Sequence, residues 1–256
     1  MAQRRLNDFN HRILGETEHR PWAMPASPWV MRQTWHNLLF AHWPVDSSIL
    51  RPLVPRAFPL DTFEGQAWVG IVPFEMSNVA PRAVPALPWL SAFSELNVRT
   101  YVTLGGKPGV YFFSLDASNT VAVEAARLLA HLPYFTAAMQ VDARNEWIDY
   151  RSRRTDRRGA SAALTARYRP RGDAHPPTSG TLEYFLTERY CLYTENSRGR
   201  PYRLDIHHPP WPLQAAEADL TVNTMAEAAG IRLPGLPPLV HYARRQDMVA
   251  WMPARI

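Results

Sequence analysis

The chain has 256 residues, 46% of them hydrophobic and 20% charged, which is enough apolar material for one sizeable core and excludes intrinsic disorder. Its 24 prolines, nearly twice the usual share of about 5%, are spread along the chain and exclude long helical bundles. The formal charge of +5 is small for this length and sits on dispersed arginines, so no nucleic-acid partner is expected, and only one of the 28 basic residues is a lysine, Lys107.

Residues 1–25 read as an N-terminal extension without the apolar run of a secretory signal, and residues 26–256 as a single domain. No segment reaches the ~18 uninterrupted apolar residues of a membrane span. One cysteine, Cys191, excludes an internal disulfide and reads as a small buried residue. A cytoplasmic protein with no membrane partner is expected, and self-association into a homo-oligomer is compatible with it.

Most apolar segments are short and alternate, which predicts strands. In chain order they are Thr34 to Trp43, Ala67 to Met76, Phe93 to Leu104, Val110 to Leu115, Phe135 to Val141, Glu146 to Arg153, Ala160 to Arg169, Leu192 to Glu195, Tyr202 to Ile206, Val240 to Ala243 and Met248 to Met252. One segment has helical period: after the capping Asn119, Val121, Ala125, Leu128, Leu129 and Leu132 recur until Pro133 stops the helix. Shorter helices are predicted at Asp46 to Leu53, Thr181 to Tyr190 and Thr221 to Ala229. The fold class is mainly β, an antiparallel barrel with a few helices packed outside. Gly105-Gly106 joins two strong strands, so Lys107 belongs on a hydrated hairpin tip, where it is weakly placed as a nucleophile. The run Arg151, Arg153, Arg154, Arg157, Arg158 reads as a strand entering a solvated turn.

The strand Phe93 to Val102 carries the chemistry. Alternation puts Glu95, Asn97, Arg99 and Tyr101 on one face and Leu96, Val98 and Val102 on the other. If the polar row faces a lumen, Arg99 needs a partner, and Glu95 or Glu75 is the expected one. A second cluster around Arg189, Tyr190 and Tyr193 could seat an oxyanion, because a guanidinium offers two parallel donors. His207 and His208 are adjacent on a strand and point opposite ways, and no Cys/His spacing of the zinc type exists, so no metal is expected. Phosphate-cradling and dinucleotide glycine motifs and the serine-hydrolase elbow are absent, and no cofactor is expected. The tryptophans, Trp35, Trp43 and Trp211 among them, are expected to pack the barrel and wall a pocket.

Several segments carry a family resemblance: Phe40-Ala-His-Trp43, Gly65 to Met76, Glu95 to Val102, Pro108 to Asp116, Leu186-Thr-Glu-Arg-Tyr190 and His208-Pro-Pro-Trp211. Together they resemble the YqjF-type family of bacterial proteins over about Trp29 to Trp251. That family is similar in fold to acetoacetate decarboxylase, an antiparallel barrel with an internal cavity and a helix leading to a catalytic lysine. The resemblance implies that Tyr134 stands at the place of the Schiff-base lysine and Phe135 at that of the lysine after it. It also implies that Phe74-Glu75-Met76 and Glu95 match acidic cavity positions.

A cavity without its nucleophile is therefore expected, binding or transforming a small organic carbonyl or carboxylate without a Schiff base. Arg99 would anchor an oxygen, Glu95 would accept a proton or partner the arginine, and Tyr101 or Tyr134 would donate a hydrogen bond, with Glu75, Asn97, Tyr101 and Arg189 as further binding residues. Whether an enzyme results is left open by the sequence. The alternative is a non-enzymatic carrier or sensor of a small ligand, with a buried structural Glu95–Arg99 pair.

Overall fold

The computed structural model describes residues 13–87 and 90–256; residues 1–12 of the expected N-terminal extension lie outside the described residues. Alternating apolar segments become twelve strands: β1 (Met31–Val45), β2 (Ala67–Pro81), β3 (Phe93–Leu104), β4 (Lys107–Ala117), β5 (Tyr134–Arg144), β6 (Trp147–Arg154), β7 (Ala163–His175), β8 (Cys191–Glu195), β9 (Pro201–His207), β10 (Leu213–Asn223), β11 (Leu239–Ala250) and β12 (Ala254–Arg255). They form one sheet in the order β12-β9-β8-β4-β3-β2-β1-β11-β10-β7-β6-β5, and the extra pairings β4–β5 and β9–β11 join strands distant in that order. All pairings are antiparallel except those of β4 with β5 and β8. The main helices are α1 (Ser47–Leu50), α2 (Thr120–Ala130) and α3 (Leu182–Thr187), each opened by a side-chain cap from Asp46, Asn119 or Thr181. Among the described residues no helix is long and apolar enough to cross a membrane.

Gly105 and Gly106, with φ of +60° and +71°, make the two-residue turn between β3 and β4, and Leu104 pairs with Lys107 as that turn demands. Val240 to Ala243 and Met248 to Met252 prove to belong largely to one strand, β11. The helix expected at Thr221 to Ala229 is instead the end of β10 and a 3-10 turn at Glu227–Ala229. Alanines and acids through Leu213–Asn223 favour helix locally, but β7 and β11 offer open edges on both sides and pairing prevails.

The sheet separates two apolar regions. Leu39, Ala41, Trp43, Val69, Ile71, Val98, Tyr150, Leu164 and Tyr168 fill one core, where each fully buried large side chain contributes about 1.5–3 kcal/mol. Leu38, Phe40, Val72, Phe74 and Trp211 belong to another. Adjacent β1 residues thus serve opposite sides, as pleating requires. The N-terminal segment packs here too: Ile13 and Trp29 bury against Val249 and Trp251, and Arg20 donates to the Ile206 carbonyl at 2.8 Å.

The arginine run after β6 is not uniformly solvated. Arg154 turns inward, its side chain 3% exposed, to make a two-point pair with the fully buried Asp116, Nε to Oδ2 at 2.8 Å and Nη2 to Oδ1 at 2.6 Å. Its guanidinium also covers the Phe135 ring at 4.1 Å. Because β6 alternates, Arg151 and Arg153 stay exposed while Ser152 and Arg154 are buried. The pair ties the end of β6 to β4, and removing one partner strands a buried charge. Asp116→Asn is expected to lower the unfolding free energy in urea by about 3–5 kcal/mol, and Asp116→Leu combined with Arg154→Met to recover most of it; an unchanged midpoint for Asp116→Asn would contradict this role.

Candidate functional site

A cavity of about 390 Å³ opens against β3, lined among others by Phe93, Glu95, Asn97 and Arg99. These four alternate without interruption, so the period-2 reading of the strand holds at this wall. The other walls keep phase only through bulges. On β1 the lining residues are Met31, Gln33 and Trp35, then Leu38 and Phe40; the change of parity falls at Asn37, whose φ is +52° and where the register against β2 slips between His36 and Ala41. On β2 the lining passes from Val72, Phe74 and Met76 to Val79 and Pro81 across Asn78, φ +55°. On β4 it passes from Val110 and Phe112 to Leu115, where the register against β3 slips. Each bulge inserts one residue and returns the next side chains to the cavity; asparagine tolerates the left-handed backbone that two of them use.

Arg99 stands opposite Gly70. A Cβ there would meet His42 at 3.1 Å and Arg99 Cγ at 3.4 Å, so the glycine leaves room for both side chains. Arg99 Nη2 donates to the Leu186 carbonyl at 3.0 Å, and the guanidinium lies 5.4 Å from the Phe40 ring centre and 5.7 Å from that of Tyr101. The expected pairing with Glu95 or Glu75 is not made. Among the described residues no carboxylate forms a salt bridge with Arg99. The cause is the strand itself: positions 95 and 99 are separated by four rises of about 3.4 Å, roughly 13–14 Å in all. Glu75 points to the opposite face, where it accepts from Asn37 Nδ2 at 3.0 Å. Arg99 Nε and Asn97 Oδ1 are buried without a hydrogen-bond partner. His42, buried beside Arg99, is held well below the ordinary imidazole pKa, first by desolvation and then by that cation. The cavity end thus carries one positive charge, and buried polar atoms with nothing bound are costly.

At the other end of the row, the Tyr134 hydroxyl donates to Glu95 Oε2 at 2.8 Å. Burial pushes the Glu95 carboxyl up to about 8, against the lowering effect of the Tyr134 hydrogen bond and with a further push from Asp116. Tyr134 rises well above its usual value through burial and the adjacent Glu95. Burial thus favours the protonated, neutral form of the Glu95 carboxyl near neutral pH.

Five of the seven expected site residues line the cavity: Glu95, Asn97, Arg99, Tyr134 and Arg189. Tyr101 shares the β3 face but is sealed by α3; its hydroxyl donates to the Leu186 carbonyl at 2.9 Å and accepts from His42 Nε2 at 2.7 Å. Arg189 is already neutralised by Asp61 at 2.5 Å and donates from Nε to the Phe185 carbonyl at 2.6 Å. Lys107 does not line the cavity and lies over Trp22 at 5.5 Å. Cys191 is buried, its thiol pushed up to about 11 by desolvation. His207 and His208 turn apart, to the Ile13 carbonyl at 2.6 Å and the Arg189 carbonyl at 3.3 Å.

Two further parts of the wall come from tryptophans and from α2. Trp35 and Trp211, both expected to wall a pocket, line the cavity and stack at 5.7 Å. The apolar period of α2 does not by itself say where that face goes. Val123 is its one buried residue, and Val121, Ala122, Ala125, Ala126 and Leu129 face the cavity. Arg127 Nη1 holds α2 to the Tyr134 carbonyl at 2.7 Å, which places the helix at the Glu95 end.

The Glu95 carboxyl gives a pH signature. Its folded pKa of about 8 lies above the ordinary carboxyl value of 4.5, so its contribution is intact below about pH 4.5. It falls as the unfolded chain ionises, and the loss is complete above about 8. Glu95→Gln cannot ionise. Thermal and urea unfolding between pH 5 and 9 should show the variant gaining up to about 4 kcal/mol on the wild type across that window; parallel profiles would show Glu95 to be ionised at neutral pH.

Comparison with known proteins follows the same outline. The model of the DUF2071 family, an uncharacterized conserved protein, matches residues 32–247. The uncharacterized protein YqjF of Bacillus subtilis (strain 168) is 51% identical over 229 residues, 90% of this chain and 93% of that one. Among solved structures, an acetoacetate decarboxylase from Legionella pneumophila matches with a TM-score of 0.61 at 11% identity, covering 94% of this chain and 92% of its own. The enduracididine biosynthesis enzyme MppR complexed with pyruvate matches with a TM-score of 0.59 at 10% identity, covering 93% of each chain. At such identities these two structures share the fold with this chain. The chain therefore belongs to the DUF2071 family, with the mainly β, acetoacetate decarboxylase-like fold.

Proposed function

We propose that the cavity binds a small organic carboxylate or carbonyl compound, and that any transformation there runs by acid/base chemistry without a Schiff base. The observation that carries this reading is Arg99: a cation at the cavity wall, forming no salt bridge with a carboxylate among the described residues, beside the unpartnered Asn97 Oδ1. An anionic oxygen would neutralise the charge and accept from Arg99 Nε, while Asn97 would accept from a ligand donor or, with its amide reversed, donate. Glu95, neutral and held by Tyr134, would donate to a second oxygen and act as general acid. In this reading the β4–β5 pairing closes the sheet into a barrel around its interior. The fold neighbours, one an acetoacetate decarboxylase and one complexed with pyruvate, support small oxo acids as a starting library. Tyr134 would stand where the resemblance to acetoacetate decarboxylases puts the Schiff-base lysine, and Lys107 is off the cavity wall.

A thermal-shift screen of short carboxylates and oxo acids should find stabilising ligands, with Arg99→Met weakening them about 10- to 100-fold by the loss of charge-assisted bonds. Where a hit is consumed, kcat should fall as pH rises through about 8 and drop at least 100-fold in Glu95→Gln; stabilisation without consumption would instead identify a carrier or sensor. Borohydride reduction in the presence of oxo acids should leave the protein mass unchanged, and a specific adduct would refute the absence of an imine.

A further inference from the structure

Beyond its polar row on β3 and a few polar side chains from other elements, Gln33, Tyr134, Thr187, Arg189 and His208, the cavity is apolar. Trp35, Phe40, Phe74, Phe112, Leu115 and Met248 are among its walls. Its volume of about 390 Å³ corresponds to on the order of a dozen water-sized groups at ~30 Å³ each, far more than a two- or three-carbon acid fills. The row is also long, with Arg99 and Glu95 roughly 13–14 Å apart along the backbone. Among the cavity-lining residues only one end carries a cation without a carboxylate partner, because Arg189 is spent on Asp61 and the Glu95 end is lined by no cation, Arg127 beside it donating to the Tyr134 carbonyl. At that end α2 lays an apolar ledge on the cavity: Val121 and Leu129 line it while 62% and 63% exposed. Small residues, Ala122, Ala125 and Ala126, occupy the positions between them.

Resting on the anion-binding reading above, we propose that the occupant is an elongated amphipathic monocarboxylate of about eight to ten carbons. Its carboxylate is held by Arg99 and, with the Asn97 amide reversed so that Nδ2 donates, by Asn97, and its apolar body extends along β3 toward Glu95, Tyr134 and α2. A dicarboxylate of equal length would bring a second charge beside the Glu95 carboxyl and the apolar α2 ledge and is disfavoured there. A short acid would satisfy Arg99 and leave the apolar walls uncovered.

Isothermal titration of the full chain at pH 7 with n-alkanoates from acetate to dodecanoate, the matching n-alcohols and α,ω-dicarboxylates tests this. Affinity should rise about three- to fourfold per methylene from butanoate to about decanoate and then level or fall, with alcohols and dicarboxylates at least tenfold weaker. Arg99→Met should erase the advantage of acid over alcohol while the increment per methylene persists, and Ala126→Trp should move the optimum to shorter chains. If butanoate binds as tightly as decanoate and depends on Arg99, the amphipathic class is overturned while the anion site stands. If alcohols match acids, the carboxylate assignment falls, and if no acid of any length binds, both readings fall.

Discussion

Strand phase is the constraint on which the cavity depends. A side chain on a strand changes sides with every residue, so a wall built from several long strands loses its face wherever one ladder gains a residue. Here the gains are placed around the cavity, at Asn37 in β1, Asn78 in β2 and the Val98/Arg99 step between β3 and β4. Each restores the inward set, so that Trp35 and Phe40, or Met76 and Val79, line the same space despite unlike parity. Asn37 is also held in place by its surroundings. Its side chain bridges Glu75 and Tyr242, and its carbonyl accepts from Tyr168. The left-handed backbone is thereby compensated by hydrogen bonds in the neighbouring core.

Strand geometry also governs the electrostatics. On a helix, residues four apart are neighbours; on β3 they are too distant for Glu95 to neutralise Arg99. Two separate polar environments result on one wall. Around Arg99 stand the Leu186 carbonyl, the Phe40 and Tyr101 rings and a histidine held well below the ordinary imidazole pKa. Around Glu95 desolvation outweighs the single hydrogen bond from Tyr134 and keeps the carboxyl protonated. The contrast with Asp116 is instructive, since that buried acid has the two-point Arg154 pair to oppose its desolvation and serves to join strands.

Much of this was legible from residue order. Alternation from Phe93 to Val102 identified β3 and its polar face, Gly105-Gly106 fixed the hairpin, and Asn119 with Pro133 bracketed α2. The β10 strand was hidden because alanine-rich sequence favours helix until neighbouring edges claim it. The burial of Arg154 was hidden because a charge run looks the same whether or not a carboxylate lies behind one member. The apolar face of α2 was legible, but its destination was not: the same period serves a packed core or the rim of a cavity.

The sequence by itself determined the mainly β character, the strand that carries Glu95, Asn97 and Arg99, and the scarcity of amines that confines lysine chemistry to one hairpin turn. These follow from local period and composition, which need no knowledge of what lies across the chain. Only the tertiary structure decided which charges meet. It paired Arg189 with Asp61 and Arg154 with Asp116 across 128 and 38 positions of sequence, joined Tyr134 to Glu95, and left Arg99 facing the cavity. Such pairings depend on register and bulges set by long-range strand contacts, and desolvation, which fixes the protonation of Glu95, exists only once those contacts have excluded water.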